Sequence, residues 1–260
     1  MVDTAQKATD GRRPRPKKVT QKLVSHNQSQ GEEMVNIATT GENMLAPRQL
    51  EERKIIHRAE NLREQADAFR ELRTRLCAGQ EGPAFVTLVV PVRSGCGSSF
   101  VARNLAAAFA FDETKSALLV DCNARHPSQA SVFGLSEDDA GLKGYLDDNR
   151  ATLAAVVRPS GLPRLEILPW GQRREDADDA FGSSRMRMLL DSFRAQDDRR
   201  YVILDGPAVN DGPDAAILSS LADRVVLVAA YGYVTPEAVR TAVANFPVEK
   251  VAGVVFNQRP

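Results

Sequence analysis

The chain reads as an α/β domain with a mostly parallel central sheet flanked by helices. Three observations predict this. Short apolar runs alternate with helical patterns from Phe85 onward, the first run is followed by paired glycines and a helix, and two later runs each end on an aspartate. Alternation of this kind builds βα units with right-handed crossovers. Ligands of such sheets sit beyond the carboxyl ends of the strands, which is where Gly95, Asp121 and Asp205 fall.

Residues 1 to about 45 are polar, carry Pro14 and Pro16, and show no apolar periodicity, so they read as a disordered basic tail. Residues 46–260 form the folded part. From Gln49 to Leu76, Leu50, Ile55, Ile56, Leu62, Ala66, Phe69, Leu72 and Leu76 recur at helical spacing, which predicts one or two amphipathic helices. Gly79 and Gly82-Pro83 end that region. Phe85 to Val90 is continuously apolar, as for a strand buried on both faces. A helix follows around Phe100 to Phe111, then strands over Ala117–Val120 and Leu165–Leu168 and a helix over Met186–Phe193. Tyr201–Leu204, Val225–Ala229 and Val251–Phe256 are further strands, with a helix from about Pro236 to Phe246 between the last two.

Bulk properties exclude several classes. The 260 residues are 43% hydrophobic and 26% charged, with Lys plus Arg and Asp plus Glu both at 34, so the formal net charge is zero. That balance gives no support to general polyanion binding, and no nucleic-acid partner is expected. Basic residues do crowd the first stretch, where Lys7, Arg12, Arg13, Arg15, Lys17, Lys18 and Lys22 face only Asp3 and Asp10. Cys77, Cys96 and Cys122 are too few and too irregularly spaced for a disulfide framework or a zinc site, which suits a reducing cytosol. No signal peptide is read at the N-terminus. Apolar runs such as Val225–Ala230 are too short to span a bilayer, so any membrane association is expected to come through a partner or the basic tail.

The segment Pro91-Val92-Arg93-Ser94-Gly95-Cys96-Gly97-Ser98-Ser99-Phe100 follows the first strand. A phosphate loop needs glycines that let backbone N–H groups turn inward, a Lys for the β/γ oxygens, and a Ser or Thr for magnesium. The helix N-terminus behind it adds its dipole. Gly95, Gly97 and Ser99 meet these needs, while Val92 replaces the first glycine of the general pattern and Ser98 replaces the Lys. Losing a charge-assisted hydrogen bond of that kind costs about 1.5–3 kcal/mol. Arg93 is the nearby substitute cation, and the nucleotide-binding set is therefore Arg93, Gly95, Cys96, Gly97, Ser98, Ser99 and Asp205.

Leu118 to Pro127 places Asp121 directly after an apolar strand, and Val202 to Pro207 does the same for Asp205, in the manner of a Walker B strand. Carboxylates there hold magnesium or its water shell. Ser99, Asp121 and Asp205 are the candidate metal residues, and ATP with Mg2+ is the cofactor pair they imply.

The motifs together resemble the bacterial tyrosine kinases (BY-kinases) of capsule and exopolysaccharide export, within the MinD/ParA-like P-loop NTPases. Asp121-x-Asn123-x-Arg125-x-Pro127 is similar to the second Walker motif peculiar to that family, normally Asp-x-Asp-x-Arg. Ala68 to Leu76 resembles its ring-assembly helix, normally Glu-x-x-Arg-x-x-Arg, with Asp67, Arg70 and Arg73 in the charged positions. Phe133-Gly134, Gly141 to Leu146, Leu168 to Gly171, Ser184 to Met186, Asp205 to Pro207 and Gly253 to Asn257 fit as well, so the likeness runs from about Leu50 to the C-terminus.

The resemblance implies a cytoplasmic domain that binds ATP and magnesium, lies peripheral to the inner membrane, and works with a membrane-embedded polysaccharide co-polymerase. Subunits would form a ring through Asp67, Arg70 and Arg73, and Asp121 would activate the acceptor hydroxyl. The family phosphorylates a C-terminal tyrosine cluster, whereas this sequence has Tyr145, Tyr201, Tyr231 and Tyr233 and no such cluster. The leading expectation is a regulatory or scaffolding relative with weakened or lost kinase activity. The alternatives are an active kinase in which Arg93 compensates, and a partition-type positioning ATPase.

Overall fold

Strands that alternate apolar side chains to two covered faces dominate the computed structural model, which describes residues 44–57, 62–78, 84–136, 140–148, 150–172, 180–196 and 199–258. The expected tail at residues 1–45 falls almost wholly outside them, as do the Gly79 and Gly82-Pro83 breakers.

Two helices, α1 (Pro47–Glu52) and α2 (Arg63–Cys77), precede the first strand. The order continues β1 (Val86–Pro91), α3 (Ser98–Ala110), β2 (Ser116–Asp121), α4 (Gln129–Phe133), α5 (Leu142–Asp147), α6 (Leu153–Val156), β3 (Arg158–Pro159) and β4 (Leu165–Leu168). A 3-10 turn at Ala180–Gly182 leads to α7 (Ser184–Gln196), β5 (Arg200–Asp205), α8 (Asp214–Leu221), β6 (Arg224–Ala230), α9 (Pro236–Val243) and β7 (Val251–Asn257). The strand order is β3-β4-β2-β5-β1-β6-β7, and every pairing is parallel except the two-residue β3–β4 contact. The sequence pattern gave no β3, no α4 to α6 and no α8, and it carried α9 three residues too far. Ile55 and Ile56, counted there as helical, lie between α1 and α2.

Alternation along β1 explains both layers. Val86, Leu88 and Val90 point to the core shared with α7, α8 and α9, while Val89 points to the core shared with α3. The central strands are consequently apolar almost throughout, with buried Thr87 the polar residue inside β1. Helix α3 is buried on almost every side, because β1, β2 and β5 lie beneath it and α2 lies over it. Its run of Ala102, Ala106, Ala107, Ala108 and Ala110 suits that confinement, since larger side chains would hold the layers apart.

Two polar contacts fix the N-terminal extension. Asn104, fully buried on α3, accepts from Ile56 N at 2.7 Å and donates to Lys54 O and Phe100 O, both at 3.0 Å. Arg73 donates to Ala108 O at 2.7 Å, and its guanidinium lies 3.7 Å from Asp112. Phe69 meets Phe100 edge-on at 5.8 Å. On the far side of the sheet Arg200, at the start of β5, reaches across β2 to an ion pair with Glu166 of β4. No helix among the described residues is long and apolar enough to cross a membrane.

Candidate nucleotide site

Strand order brings the three sequence motifs together. β5 lies between β1 and β2, so the glycine loop after β1 and the aspartates ending β2 and β5 share one rim. Asp121 and Asp205 are direct Cα partners in the β2–β5 ladder. Both are fully buried.

The loop has the backbone its sequence predicts. Gly95 and Gly97 take left-handed φ values of 84° and 83°, a region that suits glycine. Gly97 immediately precedes α3, and a Cβ there would lie 2.3 Å from Asn257 Nδ2. Asn257 ends β7 and donates from that nitrogen to Cys96 O at 3.1 Å, so the last strand braces the loop. The N-terminus of α3 presents its free N–H groups and dipole at this point.

Each predicted site residue has a definite place. Ser98 is the first residue of α3 and is 5% exposed. The Ser99 side chain lies beside the Asp205 carboxylate and counters the rise of its pKa. Asp121 Oδ1 accepts from Asn123 N at 3.1 Å, and its Oδ2 accepts from Ser128 N at 2.9 Å and Gln129 N at 3.0 Å. Its carboxylate thereby shapes the turn into α4. Cys96 is buried and frames the loop from below. Arg93 is exposed, and its guanidinium carbon lies 5.8 Å from the centre of the Tyr233 ring, in the turn between β6 and α9.

The assembly residues Asp67, Arg70 and Arg73 line one surface cleft with Phe111 and Asp112, but they are unequally exposed. Arg70 and Asp67 pair at 2.7 Å on the exposed side of α2. Arg73 instead turns inward to the last turn of α3, with only 17% of its side chain exposed. The reason is local: Ala108 O lies near the helix end, where a cation is favoured, and Asp112 follows it.

Three polar residues of the site, two buried and one half-buried, were given no role by the sequence reading. Gln129 donates from Nε2 to Asp205 Oδ2 at 2.7 Å and to Ser99 O at 3.2 Å. Arg103, one turn beyond Ser99, is 9% exposed, lies 5.5 Å over the Phe100 ring, and its Nε has no hydrogen-bond partner among the described residues. Asn257 was noted as part of a family motif without a role. The available signal was the pair Arg103-Asn104 inside an otherwise apolar helix, which is the wrong place for a solvated face.

Electrostatics follow from burial. Desolvation raises Asp121 above the ordinary carboxylate range, against the pull of its three backbone donors. Asp205 is raised by burial first and by the Asp121 charge second, while Gln129, Ser99 and Arg103 oppose the rise. Burial lowers Arg103 from the usual guanidinium value. Two adjacent buried carboxyls resist simultaneous ionisation.

The cation end of the site fits Mg2+. Asp205 Oδ1 is buried without a hydrogen-bond partner among the described residues, an acceptor that a cation or its bound water would satisfy. Ser99 and Asp205 would hold the ion, whose chemistry is to neutralise and orient phosphate oxygens. The phosphate end lacks its usual cation, because Ser98 carries no charge and Arg93 lies over Tyr233. Glycine loop, helix N-terminus and paired strand-end aspartates make up the candidate nucleotide site of this parallel α/β fold.

Comparison with known proteins places the chain further. No family model matches it. It is 33% identical over 195 residues to the putative tyrosine-protein kinase EpsB of Ralstonia solanacearum, covering 74% of this chain and 25% of that protein. It is 29% identical over 196 residues to the tyrosine-protein kinase Wzc of Salmonella typhi, covering 74% of this chain and 26% of that one. The chain thus spans about a quarter of the length of these relatives. The tyrosine-protein kinase CpsD of Streptococcus agalactiae is 26% identical over 193 residues, covering 73% of this chain and 82% of CpsD.

Among solved structures, the chimerical protein CapA2B2 matches with a TM-score of 0.67 at 26% identity, over 74% of this chain and 84% of that one. The VpsO kinase domain matches with a TM-score of 0.66 at 25% identity, over 77% and 98%. The septum site-determining protein MinD of Pyrococcus horikoshii, at 17% identity and a TM-score of 0.51 over 67% and 70%, shares the fold. The chain is a homologue of the bacterial tyrosine-protein kinases.

Proposed function

We propose that this protein is a tyrosine-kinase-like P-loop protein of capsule or exopolysaccharide assembly, with weakened nucleotide binding and weakened or lost kinase activity. One observation carries the reading: Ser98, uncharged and buried, stands at the start of α3 where the phosphate cation belongs, while the loop, Ser99 and Asp205 around it are intact. A membrane co-polymerase is the partner that the resemblance implies, and it would hold the chain at the inner membrane. The exposed Arg70–Asp67 pair on α2 is the surface on which self-association would rest. Asp121 would act on an acceptor hydroxyl in any retained chemistry. Of the four tyrosines, Tyr145 is buried and Tyr201 is partly buried with its hydroxyl pushed up to about 12, mainly by desolvation. Tyr231 and Tyr233 are exposed.

Titration with ATP and magnesium tests the proposal. Wild type is expected to bind weakly, and Ser98→Lys to bind roughly tenfold to a hundredfold more tightly, the worth of one charge-assisted contact. Tight wild-type binding that Arg93→Ala abolishes would instead favour an active kinase using Arg93, as would stoichiometric phosphotyrosine in the wild-type protein by mass spectrometry.

A further inference from the structure

Gln129 opens α4, and none of it is exposed to solvent. Its backbone N–H donates to Asp121, and its carboxamide nitrogen donates to Asp205 and to the Ser99 carbonyl. One residue therefore ties together the end of β2, the end of β5 and the first turn of α3. Among the described residues, Gln129 Oε1 and Asp205 Oδ1 are both buried without a hydrogen-bond partner. Oxygen acceptors left unsatisfied in a buried site are costly. A cation would satisfy Asp205 Oδ1, whereas the amide N–H on Asp205 Oδ2 supplies only a partial positive charge to the same carboxylate.

We propose that the Gln129 carboxamide competes with a divalent cation for Asp205. The Nε2 bond to Asp205 Oδ2 draws charge from the carboxylate whose free Oδ1 would meet a cation joining Ser99 to Asp205, so the two donors share one anion. When the tie is made, it holds the two strand ends and α3 in register by protein contacts alone. Gln129 is thus a positioning residue that tunes how readily the cation enters. The inference goes beyond the proposed function and rests on it in one respect, that Ser99 and Asp205 form the cation end of a phosphate site.

The experiment uses the full chain and Mn2+ alone, following free Mn2+ by electron paramagnetic resonance. The proteins are wild type, Gln129→Ala, Gln129→Leu, and Gln129→Leu with Asp205→Asn. Leucine keeps most of the buried volume and removes the donor, so it serves if the alanine variant fails to fold. Expected are about tenfold tighter Mn2+ binding by the Gln129 variants, the scale of one hydrogen bond to a charged group, and loss of that gain when Asp205→Asn is added. The metal-free melting temperature of Gln129→Leu should fall and recover in Mn2+. Unchanged Mn2+ affinity in the Gln129 variants, or a gain that survives Asp205→Asn, would overturn the proposal. Failure here is separable from failure of the functional reading, because Ser98→Lys would still raise ATP affinity if only the Gln129 argument were wrong.

Discussion

Asp205 sits at the point where stability and chemistry conflict. It is fully buried beside a second fully buried carboxyl, and desolvation raises it toward neutrality. A carboxyl raised in the folded state binds its proton more tightly there than in the unfolded chain. Its contribution to stability is therefore complete below the unfolded value of about 4 and is lost as pH rises toward the raised folded value. Asp205→Asn does not titrate and escapes that loss. Melting curves of the two proteins without metal should lie closest below about pH 4 and draw apart as pH rises through about 5 to 7. By pH 8 the variant should melt higher, by about 2–6 °C for a chain of this size. A gap that is constant across that range would mean that Asp205 is not raised. Sequence alone placed Asp121 and Asp205 at their strand ends because an acidic residue closing an apolar run is visible in one dimension. Gln129 was not visible, because a polar side chain declares its burial only through partners distant in the chain, and Arg103 left only the trace of its place in an apolar helix.

At the scale of elements, α2 shows how a charge pattern divides between two jobs. Asp67, Arg70 and Arg73 were read as the charged positions of one assembly helix, and the helix was correctly legible from Phe69, Leu72 and Leu76. The structure sends Arg70 and Asp67 to solvent and Arg73 into the end of α3. Arg70→Ala should leave thermal stability within about 1 kcal/mol of wild type, since exposed pairs contribute little. Arg73→Ala should cost about 1–2 kcal/mol, because it removes a charged donor from a half-buried carbonyl. Denaturant unfolding of the two single variants separates them, and equal losses would contradict this division. The distinction also sets which variant is clean for testing assembly: Arg70→Ala probes the surface, whereas a double variant would confound surface with docking.

Across the whole molecule, legibility followed burial. β1, β2, β5 and β6 are covered on both faces, so their sequences are dominated by apolar runs. β3 is two residues long, and α4 to α6 span six residues or fewer each, too short to establish a period. α8 is eight residues with apolar side chains on several sides, a pattern that does not separate helix from buried strand. β7 is a different case, since it lies at the end of the sheet with partly exposed side chains, and Phe256 is 62% exposed. Its final residue, Asn257, braces the Cys96 carbonyl across 161 residues of sequence. Edge strands are where sheets fray first, and local opening sets how fast backbone amides exchange with solvent. The loop can therefore be no better protected than the tip of β7. Hydrogen–deuterium exchange should show the Cys96 amide and the amides near Asn257 opening together, and Asn257→Ala should quicken exchange at Cys96 while β1 stays protected. Slow exchange at Cys96 in that variant would mean the loop holds its own shape. Otherwise an edge strand of the sheet meters the lifetime of its anion cradle.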